Sequence, residues 1–186
     1  MAEPRAAARS PLADRAGALA AAGASEVAFL AQVDLRLDPA LAPAVPPWLP
    51  LAPNTWSGAG DREALWLGPD EWLLVGPPGS APAIVAELEG GLAGRHRSVV
   101  DVSANRAVLD LAGADRAELL AQGCGLDLHP RAFTPGCCAQ TLFARLPVII
   151  DQTSAAPSYR LFVRRSAARW LCDWLIDAAE EFRFSP

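Results

Sequence analysis

The chain has 186 residues, which suits one domain or two small fused halves and is enough to bury a substantial core. Its net charge of −5 gives no overall pull towards nucleic acid, and no apolar run approaches the roughly 20 residues of a membrane span. Lysine is absent, all 16 basic side chains being arginine, which excludes a Schiff base, a lysine general base and the lysine of a phosphate-binding loop.

In chain order, residues 1–9 read as a flexible tail, followed by a connecting segment with an Ala/Gly run from Ala16 to Ala24. Asp14 and Arg15 sit against a weak apolar stretch with a single leucine, so no signal peptide is expected. Val27, Phe29, Ala31, Val33, Leu35 and Leu37 are apolar at every second position, which predicts a half-buried strand over 26–37. Prolines at 39, 43, 46, 47, 50 and 53 then limit regular structure to one helical turn around 40–45. Residues 63–67 and 71–75 flank Gly68-Pro69-Asp70 and predict a hairpin. Ser80 is placed to cap a helix carrying Ile84, Val85, Leu88 and Leu92 inward, ended by Gly90, Gly91 and Gly94.

The second half repeats this order. Strands are predicted over 97–102 and 105–111, then a helix over 115–122 stopped by Gly123 and Gly125. Residues 139–145 and 148–151 read as two strands or as one bent around Pro147, and 159–163 as another. Ser166 is placed to cap a last helix whose stripe is Trp170, Leu171, Trp174, Leu175, Ala178 and Phe182. The expected fold is α+β: one domain over 10–186, with two pseudo-duplicated βαββα lobes at about 26–102 and 103–184 and mostly antiparallel sheet.

Chemistry-bearing patterns are few. Cys124, Cys137, Cys138 and Cys172 form no CxxC pair, and only His96 and His129 could supplement them, so the expectation is small buried thiols in a reducing, cytoplasmic setting. No Gly-x-Ser-x-Gly elbow surrounds Ser57 or Ser80, and the glycines at 58, 60, 123 and 125 lack the spacing of a dinucleotide loop. Asp70 and Glu71 read as a solvated turn. Asp101 and Asp110 lie on strands, with Arg106 or Arg97 as mates, and Arg160, Arg164, Arg165 and Arg169 as a solvated patch. His129, before Pro130, is assigned a loop hydrogen bond. No catalytic, cofactor or metal site is expected in this chain.

Six tryptophans are many for this length. Trp66 and Trp72 flank the hairpin turn and pack across strands. Trp48 and Trp56 lie in or beside the proline-rich loop, and Trp170 and Trp174 share one helix face. These four are the candidate anchors of a partner interface, against the alternative that they fill the interior.

Several runs occur in fixed order: Ser10-Pro11-Leu12, Gln32-Val33-Asp34-Leu35-Arg36, Leu51-Ala52-Pro53-Asn54-Thr55, Trp66 through Leu74, Val100-Asp101-Val102-Ser103, Gly113 through Pro130, and Phe133-Thr134-Pro135-Gly136 with Gln140-Thr141. Together they resemble the gamma subunit of heterotetrameric bacterial sarcosine oxidases. The stretch from Gly113 to Asp127 with Pro135-Gly136 is also similar to the folate-binding domain of the glycine-cleavage T-protein, which implies a two-lobed α+β fold. Where that family carries a Gly-Gly-x-x-Asp-Asp-like segment, this chain has Leu146-Pro147-Val148-Ile149-Ile150-Asp151, keeping one acid and neither glycine. An iron–sulfur maintenance relative carries Lys-Gly-Cys-Tyr-x-Gly-Gln, and here only Gly136-Cys137 and a displaced Gln140 agree.

The resemblance implies a non-catalytic, cytoplasmic structural subunit of an assembly that oxidatively demethylates sarcosine to glycine. It implies alpha, beta and delta subunits as partners, with FAD, FMN, NAD and zinc in those chains and tetrahydrofolate as co-substrate. The alternatives are a stand-alone folate-dependent aminomethyltransferase using Asp151, and an independent repair or scaffold protein of the same fold.

Overall fold

A computed structural model describes residues 8–45, 48–154 and 158–183. Most of the expected N-terminal tail (1–7), and Pro46 and Pro47 of the proline-rich loop, lie outside the described residues. The elements in order are α1 (Ala16–Ala21), β1 (Ala24–Glu26), β2 (Ala31–Leu37), a 3-10 turn (Pro39–Ala44), β3 (Trp56–Ala59), β4 (Arg62–Gly68), β5 (Glu71–Gly76), α2 (Ala81–Gly91) and β6 (Arg97–Asp101). There follow β7 (Arg106–Ala112), α3 (Arg116–Ala121), β8 (Cys138–Phe143), β9 (Leu146–Ser154), β10 (Ser158–Arg164), a 3-10 turn (Arg165–Ala167), α4 (Ala168–Ala178) and α5 (Glu180–Arg183).

The strands make two five-stranded sheets, ordered β3-β4-β5-β2-β6 and β1-β7-β10-β9-β8, with every ladder antiparallel. Side-chain alternation along each strand then sorts residues into layers. Leu65, Leu67, Leu73 and Val75 of the first sheet meet Val108, Cys138, Ile149 and Phe162 of the second, so the sheets pack face to face. The outer face of the first sheet, with Val33, Leu35, Trp72 and Leu74, is covered by α2 and the proline-rich loop. The outer face of the second, with Leu109, Ile150 and Leu161, is covered by α1, α3 and α4. The molecule is therefore a four-layer sandwich whose central strands are apolar on both faces.

The two sheets are copies of one plan. The order β2, 3-10 turn, β3, β4, β5, α2 is repeated as β7, α3, β8, β9, β10, α4, and the strand orders of the two sheets superpose term by term. Each copy has three strands after its first helical element, so the repeat is βαβββα and not βαββα; the missed strand is β3. Beside β2 lies β6, which follows α2, whereas the equivalent place beside β7 is filled by β1 from the N-terminal side.

That exchange corrects the single strand expected over 26–37. Phe29 adopts φ +64, a left-handed conformation no strand continues through, and the chain crosses there from one sheet to the other. The connecting segment is also more ordered than expected, since α1 forms within it and Leu12 and Leu19 are fully buried. Neither expected serine cap closes its helix. Ser80 Oγ donates to the Pro77 carbonyl at 2.8 Å, and Ser166 lies inside the 3-10 turn, leaving Ala167 at the start of α4. The choice left open around Pro147 resolves as two strands joined by Ala144 and Arg145, with φ +46 and +70. Positive φ at both central residues matches the right-handed twist of a tight hairpin.

Candidate functional site

The ionisable groups of the interior gather between the sheets. On β9 and β10 the side chains at 151 and 160 point into the intersheet layer, because their neighbours Ile150, Leu161 and Tyr159 fill the helix-covered core. Arg160 Nε lies 3.2 Å from both oxygens of Asp151, and its Nη2 lies 2.5 Å from Asp151 Oδ2. The same Nη2 is bonded to Glu63 on β4, so one guanidinium ties the sheets together. Its carbon sits 5.6 Å from the centre of the Phe162 ring. Asp151 is 0% exposed and Arg160 9% exposed. Burial pushes the Asp151 carboxyl up to about 6, opposed by the arginine, while the two carboxylates hold Arg160 firmly protonated. Asp110, directly opposite Arg160 on the neighbouring strand β7, is raised by the same burial, with Arg160 lowering it and Glu63 raising it.

As placed, this cluster is an internal clamp. Asp151 is fully buried with both oxygens on Arg160, so a pterin cannot reach it without displacing that arginine. Arg160 was expected at the surface; its burial is a correction, and Glu63 was not foreseen at all. A charged residue inside Tyr159-Arg160-Leu161-Phe162-Val163, where all five residues are buried, is the one signal that pointed inward.

The other expected partners separate. Asp101 faces outward, where the Ser103 hydroxyl (2.6 Å) and amide hold its pKa down. Arg97 pairs with Glu89, not with Asp101. Arg106 has no hydrogen-bond or ion-pair partner for its guanidinium among the described residues, and Asp110 is nearer in effect to Arg160. His129 Nδ1 accepts from the Arg131 amide at 3.2 Å, the expected loop bond. All four cysteines are free, with Cys137 half-buried and the others buried. Burial pushes the Cys138 thiol up to about 12, so it carries no thiolate at neutral pH. Among the described residues no cluster of His, Cys, Asp and Glu could hold a metal, and no helix is long and apolar enough to cross a membrane.

The tryptophans divide by surroundings. Trp66 and Trp72 face each other across the β4–β5 ladder, and Trp72 donates to the Pro50 carbonyl at 2.7 Å. Trp56 is half-buried and donates to the Gln152 carbonyl at 2.9 Å, and Trp48 packs at the margin of the α2 core. Trp174 meets Phe143 edge to face at 4.9 Å. Trp170 is 50% exposed on the outer side of α4.

A glycine cleavage system aminomethyltransferase T from Bartonella henselae superposes with a TM-score of 0.64 at 19% identity, over 83% of this chain and 45% of that one, and shows a shared fold. A chain of the heterotetrameric sarcosine oxidase from Corynebacterium sp. U-96, in complex with pyrrole 2-carboxylate, superposes with a TM-score of 0.88 at 38% identity, over 96% and 98% of the two chains. The sarcosine oxidase subunit gamma of Corynebacterium sp. (strain P-1) is 39% identical over 168 residues, 87% of this chain and 81% of that protein. With the sarcosine oxidase, gamma subunit family also matching residues 24–181, the chain belongs to that family.

Proposed function

We propose that this chain is a non-catalytic, cytoplasmic structural subunit of a heterotetrameric sarcosine oxidase. The observation that carries the reading is the near end-to-end correspondence with a chain of such an oxidase. In it, alpha, beta and delta subunits hold FAD, FMN, NAD and zinc, and the assembly converts sarcosine, dioxygen and water to glycine, formaldehyde and hydrogen peroxide. With tetrahydrofolate present, the one-carbon unit leaves as 5,10-methylenetetrahydrofolate. This chain keeps the cofactor-bearing partners in register.

The interior supports that division of labour, because its buried charges among the described residues, Asp151 and Arg160, are spent on one another. Trp170 offers the most free aromatic surface of the four proposed anchors, and Trp48, Trp56 and Trp174 present outer edges. An obligate interface of this kind buries roughly 2,000 Å² or more. Co-expression with the neighbouring oxidase chains, with the affinity tag on this chain only, tests the reading: a flavin-bearing complex co-elutes. Recovery of a stable monomer indifferent to those chains overturns it. The rival reading, an autonomous folate enzyme, requires heat on titrating the isolated chain with tetrahydrofolate and its loss in Asp151→Ala.

A further inference from the structure

We propose that the cleft beside Phe29 receives an acidic segment of a partner subunit, the surrounding arginines taking its carboxylate and the cavity behind Phe29 taking an apolar side chain. The inference rests on the subunit reading and names a contact within it.

Phe29 is the first observation. It sits at φ +64, a conformation that strains any residue except glycine, yet its ring is 52% exposed and belongs to none of the three cores. The fold thus holds a half-exposed aromatic at a strained turn without packing it into a core. Strain of this kind collects where a surface is kept for use, and exposed aromatics dominate interface energetics.

The second observation is the space behind it. A cavity of about 290 Å³ opens between the β1–β2 crossing, the start of β7 and residues 8–11. Its apolar wall includes Val27, Leu30 and Val108. That volume lies at the lower limit of small-molecule pockets, about 300 Å³, and suits an inserted side chain.

The third is charge. Arg9, Arg106 and Arg165 line the cavity, against one carboxylate, Glu26, which already accepts from the Ser10 hydroxyl. Arg165 Nη2 donates to the Arg9 carbonyl at 3.1 Å, which ties that guanidinium to the rim formed by residues 8–11. Arg106 stands opposite Arg164 in the β7–β10 ladder, and burial and that neighbour both depress its pKa. Asp34 and Glu71 act on it without a direct ion pair. A partly buried guanidinium beside like charge calls for an anion, although the whole chain is net −5. An acidic residue next to an apolar one satisfies the arginines, the cavity and Phe29 together.

The test uses the co-purified assembly. Phe29→Gly removes the ring and relieves the strained φ, so it leaves the melting temperature of the chain unchanged or raised while weakening retention in the assembly at least tenfold. Arg106→Gln weakens retention likewise, and more at low than at high salt. A photo-crosslinking phenylalanine analogue at position 29 then captures an acidic segment of another subunit. If the unaltered chain assembles and both variants are retained equally well, this contact is refuted and the subunit reading stands. If the unaltered chain does not assemble, both fall. Capture of a second copy of this chain, or of nothing, also overturns the contact.

Discussion

The intersheet clamp predicts a large and pH-dependent cost for Arg160→Met. The substitution keeps most of the apolar stem but removes the charge that Asp151, fully buried, and Glu63 both contact. Breaking a buried pair by deleting one partner costs about 3–5 kcal/mol, because the remaining charge is left without solvent or counter-ion. For a chain of this length about 1 kcal/mol moves the melting temperature by roughly 2–4 °C, so the expected loss is about 6–20 °C. Replacing both partners, Arg160→Met with Asp151→Leu, recovers most of it, since an apolar pair of similar volume is often neutral or better.

The sign of the pH effect follows from Asp151. Its folded pKa is raised from 3.8 to about 6, so the stability linked to its protonation is fully present below 3.8 and is lost as pH rises through about 6. Without Arg160, which opposes that rise, the folded pKa climbs further and the loss extends to higher pH. The gap between the parent chain and Arg160→Met therefore widens above pH 6 and narrows towards pH 4. Thermal unfolding followed by circular dichroism, on the chain as it purifies, measures both. A loss below about 2 °C, or a gap independent of pH, refutes the clamp.

Three further outcomes are expected. In Gly123→Ala the new methyl lies 2.9 Å from Trp174 Cη2 and 3.0 Å from Phe143 Cζ. The edge-to-face pair must shift, at about 1–3 kcal/mol, and chemical denaturation with tryptophan fluorescence reports both cost and movement. Iodoacetamide at pH 8 labels Cys137 on the native protein and spares Cys124, Cys138 and Cys172, burial having raised the last two thiols. Equally rapid labelling of a second site, read by mass spectrometry, contradicts the burial. Trp72→Phe leaves the buried Pro50 carbonyl without its 2.7 Å donor and costs about 1–3 kcal/mol by urea titration; a neutral result contradicts that bond's role.

Elements set by local periodicity were readable in the sequence, and those set by sheet-to-sheet contact were not. β5, α2 and β10 sit within a residue or two of their predicted spans, because apolar spacing and flanking turns decide them, whereas the single last helix expected through Phe182 is divided into α4 and α5. The hairpin at Ala144 and Arg145 carries no Asn-Gly or Asp-Gly signal, and its positive φ values show only in coordinates. Phe29 is the sharper case. Its place in the apolar alternation from Val27 to Leu37 is the pattern of a continuous strand, and nothing local says that the chain changes sheets there. The clamp was hidden for a related reason: strands covered on both faces do not alternate, so Arg160 had no polar face to belong to and was assigned to the nearby basic patch.

The exchange of β1 for a strand after α4 follows from the duplication. In the first copy β6 covers the edge of β2 away from β5, and in the second the matching edge of β7, away from β10, needs a strand from elsewhere. β1 fills it, pairing Ala24 with Leu111 and Glu26 with Leu109. Ser10 reaches Glu26, Arg169 on α4 takes Asp14, and α1 lies against α4, so the N-terminal segment is bound to the C-terminal copy and not to the strand that follows it. The crossing that results, from Glu26 to Ala31, is the only covalent step from that segment into the first sheet, and Phe29 is its tightest point. A left-handed residue is what so short a crossing demands. Glycine would meet that demand without strain, so an exposed aromatic at this position is what the proposed partner contact accounts for.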